Sequence, residues 1–400
     1  MNRRQAITAT VTAVAASILR PGRLAAQSPP AITEPPMGDT LFLSPSGSDA
    51  NAGTRERPLQ TLAAAAKRVN DSKGAGPLTI VLSEGVYAVA EQATFKPENR
   101  AFSKSERLTI RAEILPDDPE WHTGRMPTLI HTLPLKDHWN GRPLPPGTGG
   151  TSYGIEIETS HATIQGLKVL GTPVVETPQP RMLNRIYPIG RFGRTLDDLE
   201  IAQCLLAGDK VTNPNHLPII ANGNGMNIHH CVFYGTKLTA VYWTGGSTGH
   251  SMRNCLLYGA YAGGVWTSEI AADFDFRNNI IANSNYAWVY QSSGSALADP
   301  DAGGGRRGGA PTPAQPRERV RYRAVDSLFT NNKAMAASGT GANLGFKDID
   351  ASFIELVNTK LSNEPLGLEM DESKRGYLHP VPGSEAANIG AGLFIKPVSR

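Results

Sequence analysis

A unit of about 24 residues recurs in the second half of the chain, and it constrains the fold more than any other feature. Five segments align: EIAQCLLAG from Glu200, NIHHCVFYG from Asn227, SMRNCLLYG from Ser251, DFRNNIIAN from Asp275 and RAVDSLFTN from Arg323. In each, an apolar residue (Ile201, Ile228, Met252, Phe276, Ala324) is followed two positions on by a polar one (Gln203, His230, Asn254, Asn278, Asp326). A small residue and two apolar ones come next. The small positions, Cys204, Cys231, Cys255, Asn279 and Ser327, lie 27, 24, 24 and 48 residues apart. A fainter copy, TIQGLKVLG, begins at Thr163.

So short a unit, rich in alternating apolar and β-branched residues, cannot bury its own apolar face and must stack on its neighbours. Each unit then forms one turn of a coil, with equivalent residues about 4.8 Å apart across parallel strands. The polar position falls at a bend, where Asn and its like adopt a left-handed backbone. The three cysteines become interior neighbours. Three are too few for a disulfide framework, so packing must hold the fold, and one disulfide among them stays open.

The opening LFLSPSGSDANAGTRERPLQTLAAAA (Leu41 to Ala66), the following GPLTIVLSEGVYAV and the coil pattern resemble the right-handed parallel β-helix proteins of the pectate-lyase-like superfamily. YLHPVPGSEAANIGAG (Tyr377 to Gly392) resembles their closing segment. The resemblance implies an all-β right-handed solenoid, a short capping helix over Leu59 to Val69, and first strands around Thr79 to Leu82 and Leu108 to Ala112. It does not supply a catalytic set. The paired Asp and Gly-His-Gly pattern of polygalacturonase-type hydrolases has no counterpart here, nor has the calcium and arginine signature of pectate lyases.

Lys and Arg number 39 against 36 Asp and Glu, but the first 26 residues hold four Arg and no acid. Without them the balance is 35 against 36, so nothing in the body would drive binding to nucleic acid. Those residues read as a signal peptide. Arg3 and Arg4 precede an apolar stretch from Ala6 to Leu19, too short for a permanent membrane anchor, with small residues at Ala25 and Ala26. The Arg pair resembles a twin-arginine signal. The expected organisation is a signal peptide over 1–26, a Pro-rich linker over 27–38 and one β-helix domain over 39–400. Its expected location is the periplasm or the medium, as a monomer. The Gly- and Pro-rich stretch 291–319 reads as a projecting loop, although its length would also fit one coil.

Candidate site residues come from the strands that precede the repeat. With a constant step of 24, Val241, Val265 and Val289 point inward and Tyr242, Trp266 and Tyr290 form an outward row, with Trp288 and Ala240 on the same face. Such a row is a platform for sugar rings; a slip of one residue would turn it into core. In GIEIETS, Glu156 and Glu158 face outward about 6.7 Å apart, fit to act as acid and base in sugar hydrolysis, to ligate Ca²⁺, or simply to be solvated. Lys237, Tyr261 and Asn285 align in the turn before the aromatic strands, where Lys or Tyr can serve as the base of a uronate lyase or be plain turn residues. His250 and Glu269 border the far rim. His229, Arg253 and Arg277 form a cationic outward row that needs an anionic ligand or surface acids.

Arg181, Arg185, Arg191 and Arg194 flank Tyr187 in what reads as an insertion, able to bind an acidic polysaccharide or to be solvated. Ser247 in GGSTG matches a nucleophile elbow only formally, because it joins two repeat strands and opens no helix. These readings describe an exported carbohydrate-active protein, a polysaccharide lyase or glycoside hydrolase on an acidic or plant-type polysaccharide, with Ca²⁺ as the one cofactor considered. The alternative is a non-catalytic glycan-binding or surface structural β-helix.

Overall fold

The structure is a computed structural model that describes residues 40–133, 138–139, 142–143, 151–173, 185–242, 246–291, 319–339 and 346–395. The leader, the linker and nearly all of 291–319 lie outside the described residues. Three long sheets run the length of the domain, with ten, nine and nine strands. Their strands are taken in turn, first sheet to second to third, once per coil, which makes a right-handed parallel β-helix. The exception is the final pair of the third sheet, Ala334–Gly339 and Phe346–Asp348, which is antiparallel.

The repeat forms the first two sheets and the bend between them. Ile164, Ile201, Ile228, Met252, Phe276 and Ala324 pair in one inward column of the first sheet. Phe276 pairs directly with Ala324, so the step of 48 is not an additional coil. At the bend, Gln203, His230, Asn254, Asn278 and Asp326 have φ between 48° and 55°, the left-handed conformation expected of this ladder. Behind it, Cys204, Cys231 and Cys255 are buried and unpaired. Below them the column changes chemistry. Asn279 Oδ1 accepts from Cys255 N at 2.9 Å, and Ser327 Oγ accepts from Asn279 N at 3.1 Å.

The helix spans Leu62–Asp71, three residues later than expected, because Thr61 is the residue able to cap it. Thr61 Oγ1 accepts from Ala64 N at 3.1 Å, while Leu59 is drawn into a bridge with Leu43. Leu62, Ala65, Ala66 and Val69 bury its apolar face in the core at the start of the solenoid. At the other end of the chain, residues 366–395 lie along the outer face of the second sheet. Leu366, Leu378, Ala386 and Leu393 cover Leu205, Val232, Leu256 and Ile280 in a second apolar cluster.

The third sheet departs from a constant step of 24. Tyr242 pairs with Thr267 and Thr267 with Tyr290, steps of 25 and 23. The cause is one extra residue in the turn before Gly263. Lys237 O accepts from both Ala262 N and Gly263 N, at 2.9 and 3.1 Å, which is the signature of a bulge with two residues opposite one. Ala262 is the added residue, since Tyr261 N still bonds Thr236 O, opposite Lys237, and Gly263 pairs with Leu238.

Candidate functional site

That bulge redistributes the aromatic row. Ala240, Val265, Trp288 and Ala336 form an inward column, and Trp288 is fully buried between Phe276 and Tyr322, its Nε1 donating to Thr267 Oγ1 at 3.0 Å. Trp288 and Ala240 therefore belong to the core, against the expectation. Tyr290 also belongs to the core, packed on Phe353 with its hydroxyl accepting from Val320 N at 3.1 Å. The side chain of Tyr242 lies outside the described residues. Trp266 does face outward, but it pairs with Val241 and Val289, so the row Tyr242–Trp266–Tyr290 does not exist. Val289 correspondingly sits outside, in an outer cluster with Trp266, Ile220 and Leu238. Trp266 is 3% exposed, and its indole N–H has no hydrogen-bond partner among the described residues.

The outward column runs Thr94, Glu156, Gly190, Ile220, Trp266, Val289, with the backbone of Val241 pairing between Ile220 and Trp266. Glu156 and Trp266 are four strands apart, roughly 19 Å along the solenoid. Glu156 faces outward as expected on the strand Thr151–Ile157, and Glu158 follows immediately after the strand ends, partly exposed. They are held differently. Glu156 is half-buried, and burial pushes its carboxyl above the usual range, although Oε2 accepts from Thr94 Oγ1 at 2.9 Å and from Gln92 Nε2. Its Oε1 takes no bond among the described residues. Glu158 pairs with the Lys96 ammonium at 2.6 Å. With Lys96 already on Glu158 and two donors on Glu156, this pair is not arranged as a cation cage. Among the described residues no group of three His, Cys, Asp or Glu could hold a metal ion.

Gly190, the neighbour of Glu156 in the column, has no side chain for a reason: a Cβ there would stand 2.6 Å from the Phe192 ring. Phe192 meets Tyr153 edge-on at 4.9 Å, Tyr153 stacks on Tyr187 at 5.3 Å, and Tyr187 meets His216 edge-on at 6.3 Å. An aromatic wall therefore adjoins Glu156. The sequence carried its signal in the matched Tyr-x-x and Tyr-x-x of the paired strands, Tyr153 opposite Tyr187. Reading the Arg-rich stretch as an insertion hid it. Arg185–Arg191 is a strand of the third sheet, and Arg191 is completely buried, its Nε and Nη2 donating to the carbonyls of Asn222 and Asn224 at 2.7 Å. Arg181 and the side chain of Arg185 lie outside the described residues.

The remaining candidates sit as follows. Lys237 is buried, and Tyr261 opposes it at the bulge with its phenol pushed well above the ordinary tyrosine range by burial. His250 is buried and not on an open rim; its Nδ1 accepts from Met226 N at 3.1 Å and its Nε2 lies 2.8 Å from Ser247 Oγ. With Nδ1 an acceptor, a neutral His250 carries its proton on Nε2 and donates to Ser247, the wrong tautomer for activating that hydroxyl. Burial pushes its pKa down to about 4. Glu269 is half-buried at φ 48°. The cationic row on the first sheet is offset by acids: His229 bonds Glu200 at 3.0 Å, and Arg253 and Arg277 both pair with Asp275.

No protein-family model matches the chain. A stretch of 50 residues is 46% identical to the uncharacterized protein YwoF of Bacillus subtilis, covering 12% of this chain and 10% of that protein. The chain thus spans about a tenth of the length of that curated relative. Among solved structures it is similar to a rhamnogalacturonan lyase, at 14% identity and TM-score 0.45 over 89% of this chain and all of the other. It is similar also to the GH136 lacto-N-biosidase of Eubacterium ramulus, at 10% identity and TM-score 0.44 over 81% of this chain and 67% of the other. For pectin methylesterase PemA of Erwinia chrysanthemi the values are 10% and 0.36, over 88% and 96%. The parallel β-helix itself is given by the order of the three sheets along the chain.

Proposed function

We propose that the protein is an exported, carbohydrate-active β-helix that lays a polysaccharide along the outer face of its third sheet and hydrolyses it with Glu156 and Glu158. The observation that carries this reading is the unequal environment of two carboxylates on one outward face. Burial favours the protonated form of Glu156, with Oε1 open, while the Lys96 ammonium lies on Glu158. Two carboxyl groups on one face in such unlike environments are what glycosidic hydrolysis uses to divide the acid role from that of base or nucleophile. Phe192 and Tyr153, backed by the buried Tyr187, supply the adjoining wall against which a sugar ring can pack.

In this scheme Glu156 delivers its proton to the leaving glycosidic oxygen, and Glu158 acts on the opposite side as base or nucleophile. The lyase alternative is less well served. Its base would be Lys237 or Tyr261, and the first is buried while the second holds its proton more tightly than an ordinary tyrosine. A non-catalytic glycan-binding protein would use the same face without the carboxylates.

The test is a panel of pectin, polygalacturonate, alginate and glycosaminoglycans, assayed for new reducing ends and for unsaturated products by absorbance. New reducing ends without unsaturation, lost by a factor of roughly 10² or more in Glu156→Gln, are expected. Unsaturated products, or full activity in Glu156→Gln, would rule out this assignment. Binding without turnover on every polymer would leave the glycan-binding reading.

A further inference from the structure

The segment 366–395 that covers the second sheet is fastened at two places by histidines. His379 lies inside the segment, half-buried and stacked on Phe394 with ring centroids 4.4 Å apart. Its Nδ1 is 3.1 Å from Tyr377 O, and its Nε2 is 3.1 Å from Leu393 N. A carbonyl only accepts and an amide only donates, so Nδ1 carries the proton and Nε2 must be bare. A second proton would set an N–H against the Leu393 N–H.

The other fastening crosses the left-handed ladder. Gln203 Nε2 donates to Leu393 O at 2.9 Å, Asn254 Nδ2 donates to Gly390 O at 3.1 Å, and Gly392 N donates to Asn254 O at 3.0 Å. His230 stands between Gln203 and Asn254 on that ladder. Its Nδ1 is 3.1 Å from His229 Nδ1, and His229 Nε2 is bonded to Glu200. His229 therefore offers a bare Nδ1 to the His230 N–H, and the two rings cannot both be doubly protonated without opposing donors.

We propose that the C-terminal segment is a pH-sensitive strap, released from the second sheet in mild acid when His379 and His230 take up a proton. The charged groups facing His379 are few: Arg375, whose guanidinium donates to the carbonyls of Pro116, Asp118 and Trp121, opposes a further positive charge. Those facing His230 are His229, which opposes the charge, and Asp117, which favours it. Asp117 is itself a fastening, since Oδ1 accepts from Ile395 N at 3.0 Å and Oδ2 from Gln203 Nε2 at 2.8 Å. A charged His230 competes for the carboxylate that holds the strap. Release would bare the outward stripe of Leu205, Val232, Leu256 and Ile280 while the coils stay stacked, because none of the released contacts is a strand pairing.

Hydrogen–deuterium exchange on the full chain at pH 7.5 and pH 4.5, corrected for intrinsic rates, tests this. Residues 366–395 are expected to lose at least about tenfold in protection in acid while the strands of the first sheet keep theirs, with a parallel rise in binding of an apolar dye. His230→Asn, which suits the ladder as Asn254 and Asn278 do, is expected to move strap opening to lower pH; His379→Ala is expected to open it at pH 7.5. Equal protection of the strap at both pH values, loss of protection everywhere at once, or an unmoved midpoint in His230→Asn would overturn the proposal.

Discussion

The side-chain amide of Asn285 donates to the carbonyl of Tyr261, a carbonyl that the ladder of backbone bonds skips, since Asn285 N and Tyr286 N go to Ala260 O and Ala262 O on either side of it. One side chain thus completes the bulge that sets which aromatics of the third sheet are core. Asn285→Ala is expected to cost about 1 kcal/mol, the ordinary value of one such bond, in urea unfolding. A loss within error would mean that water satisfies Tyr261 O equally well.

Trp266 and Trp288 sit one strand position out of register and so on opposite sides of the sheet, and their truncations should differ. Trp288→Ala is expected to destabilise by about 3–5 kcal/mol through the cavity it leaves. Trp266→Phe removes an indole N–H that has no partner among the described residues, and is expected to change stability by less than about 1 kcal/mol or to raise it. Thermal unfolding of both variants checks the assignment, and equal losses would contradict it.

Cys204, Cys231 and Cys255 are completely buried, and burial pushes the thiols of Cys204 and Cys231 well above their ordinary pKa. All three are expected to resist a thiol-specific reagent in the native protein at pH 8 and to react together in denaturant. Rapid labelling of one of them in the folded protein would show an opening of the core near the Gln203–Asn254 ladder.

His131 and His250 are buried, and both have pKa values lowered to about 4 by loss of hydration. The unfolded chain binds protons on these groups below about pH 6.5. The folded chain does not until near pH 4. Their contribution is therefore complete above pH 6.5 and falls as the pH drops towards 4. Denaturant midpoints at pH 7.5, 6, 5 and 4 should fall across that interval, and His131→Gln should flatten the fall. A midpoint unchanged between pH 6.5 and 4 would show that neither histidine is linked to folding.

The coil pattern was legible because it rests on period-two alternation and on a polar residue at a tight bend, both local. Ile201 to Ala324, the left-handed Gln203 to Asp326 and the interior thiols all follow from it. The third sheet was not legible in the same way. Its register depends on turn length, and Ala262 adds one residue within a window whose other steps are 24. In a strand, one residue reverses every side chain, so Trp288 and Tyr290 went to the core while Trp266 stayed outside. Glu156 was placed correctly from alternation alone. What distinguishes it from Glu158, Thr94 and Gln92 on one and Lys96 on the other, comes from a strand more than 60 residues earlier. The acids that neutralise His229, Arg253 and Arg277 were in the repeat itself, one position before its apolar residue, at Glu200 and Asp275.

Because Phe276 lies directly against Ala324 and Trp288 against Ala336, the rung that ends at Gln291 and the rung that opens at Tyr322 are neighbours. Any length of polypeptide can be carried between those two points without moving a single paired strand. Evolution, or a protein engineer, can therefore lengthen, shorten or exchange the connecting sequence as an independent cassette, whereas one residue gained in a corner such as that of Ala262 rewrites an entire face.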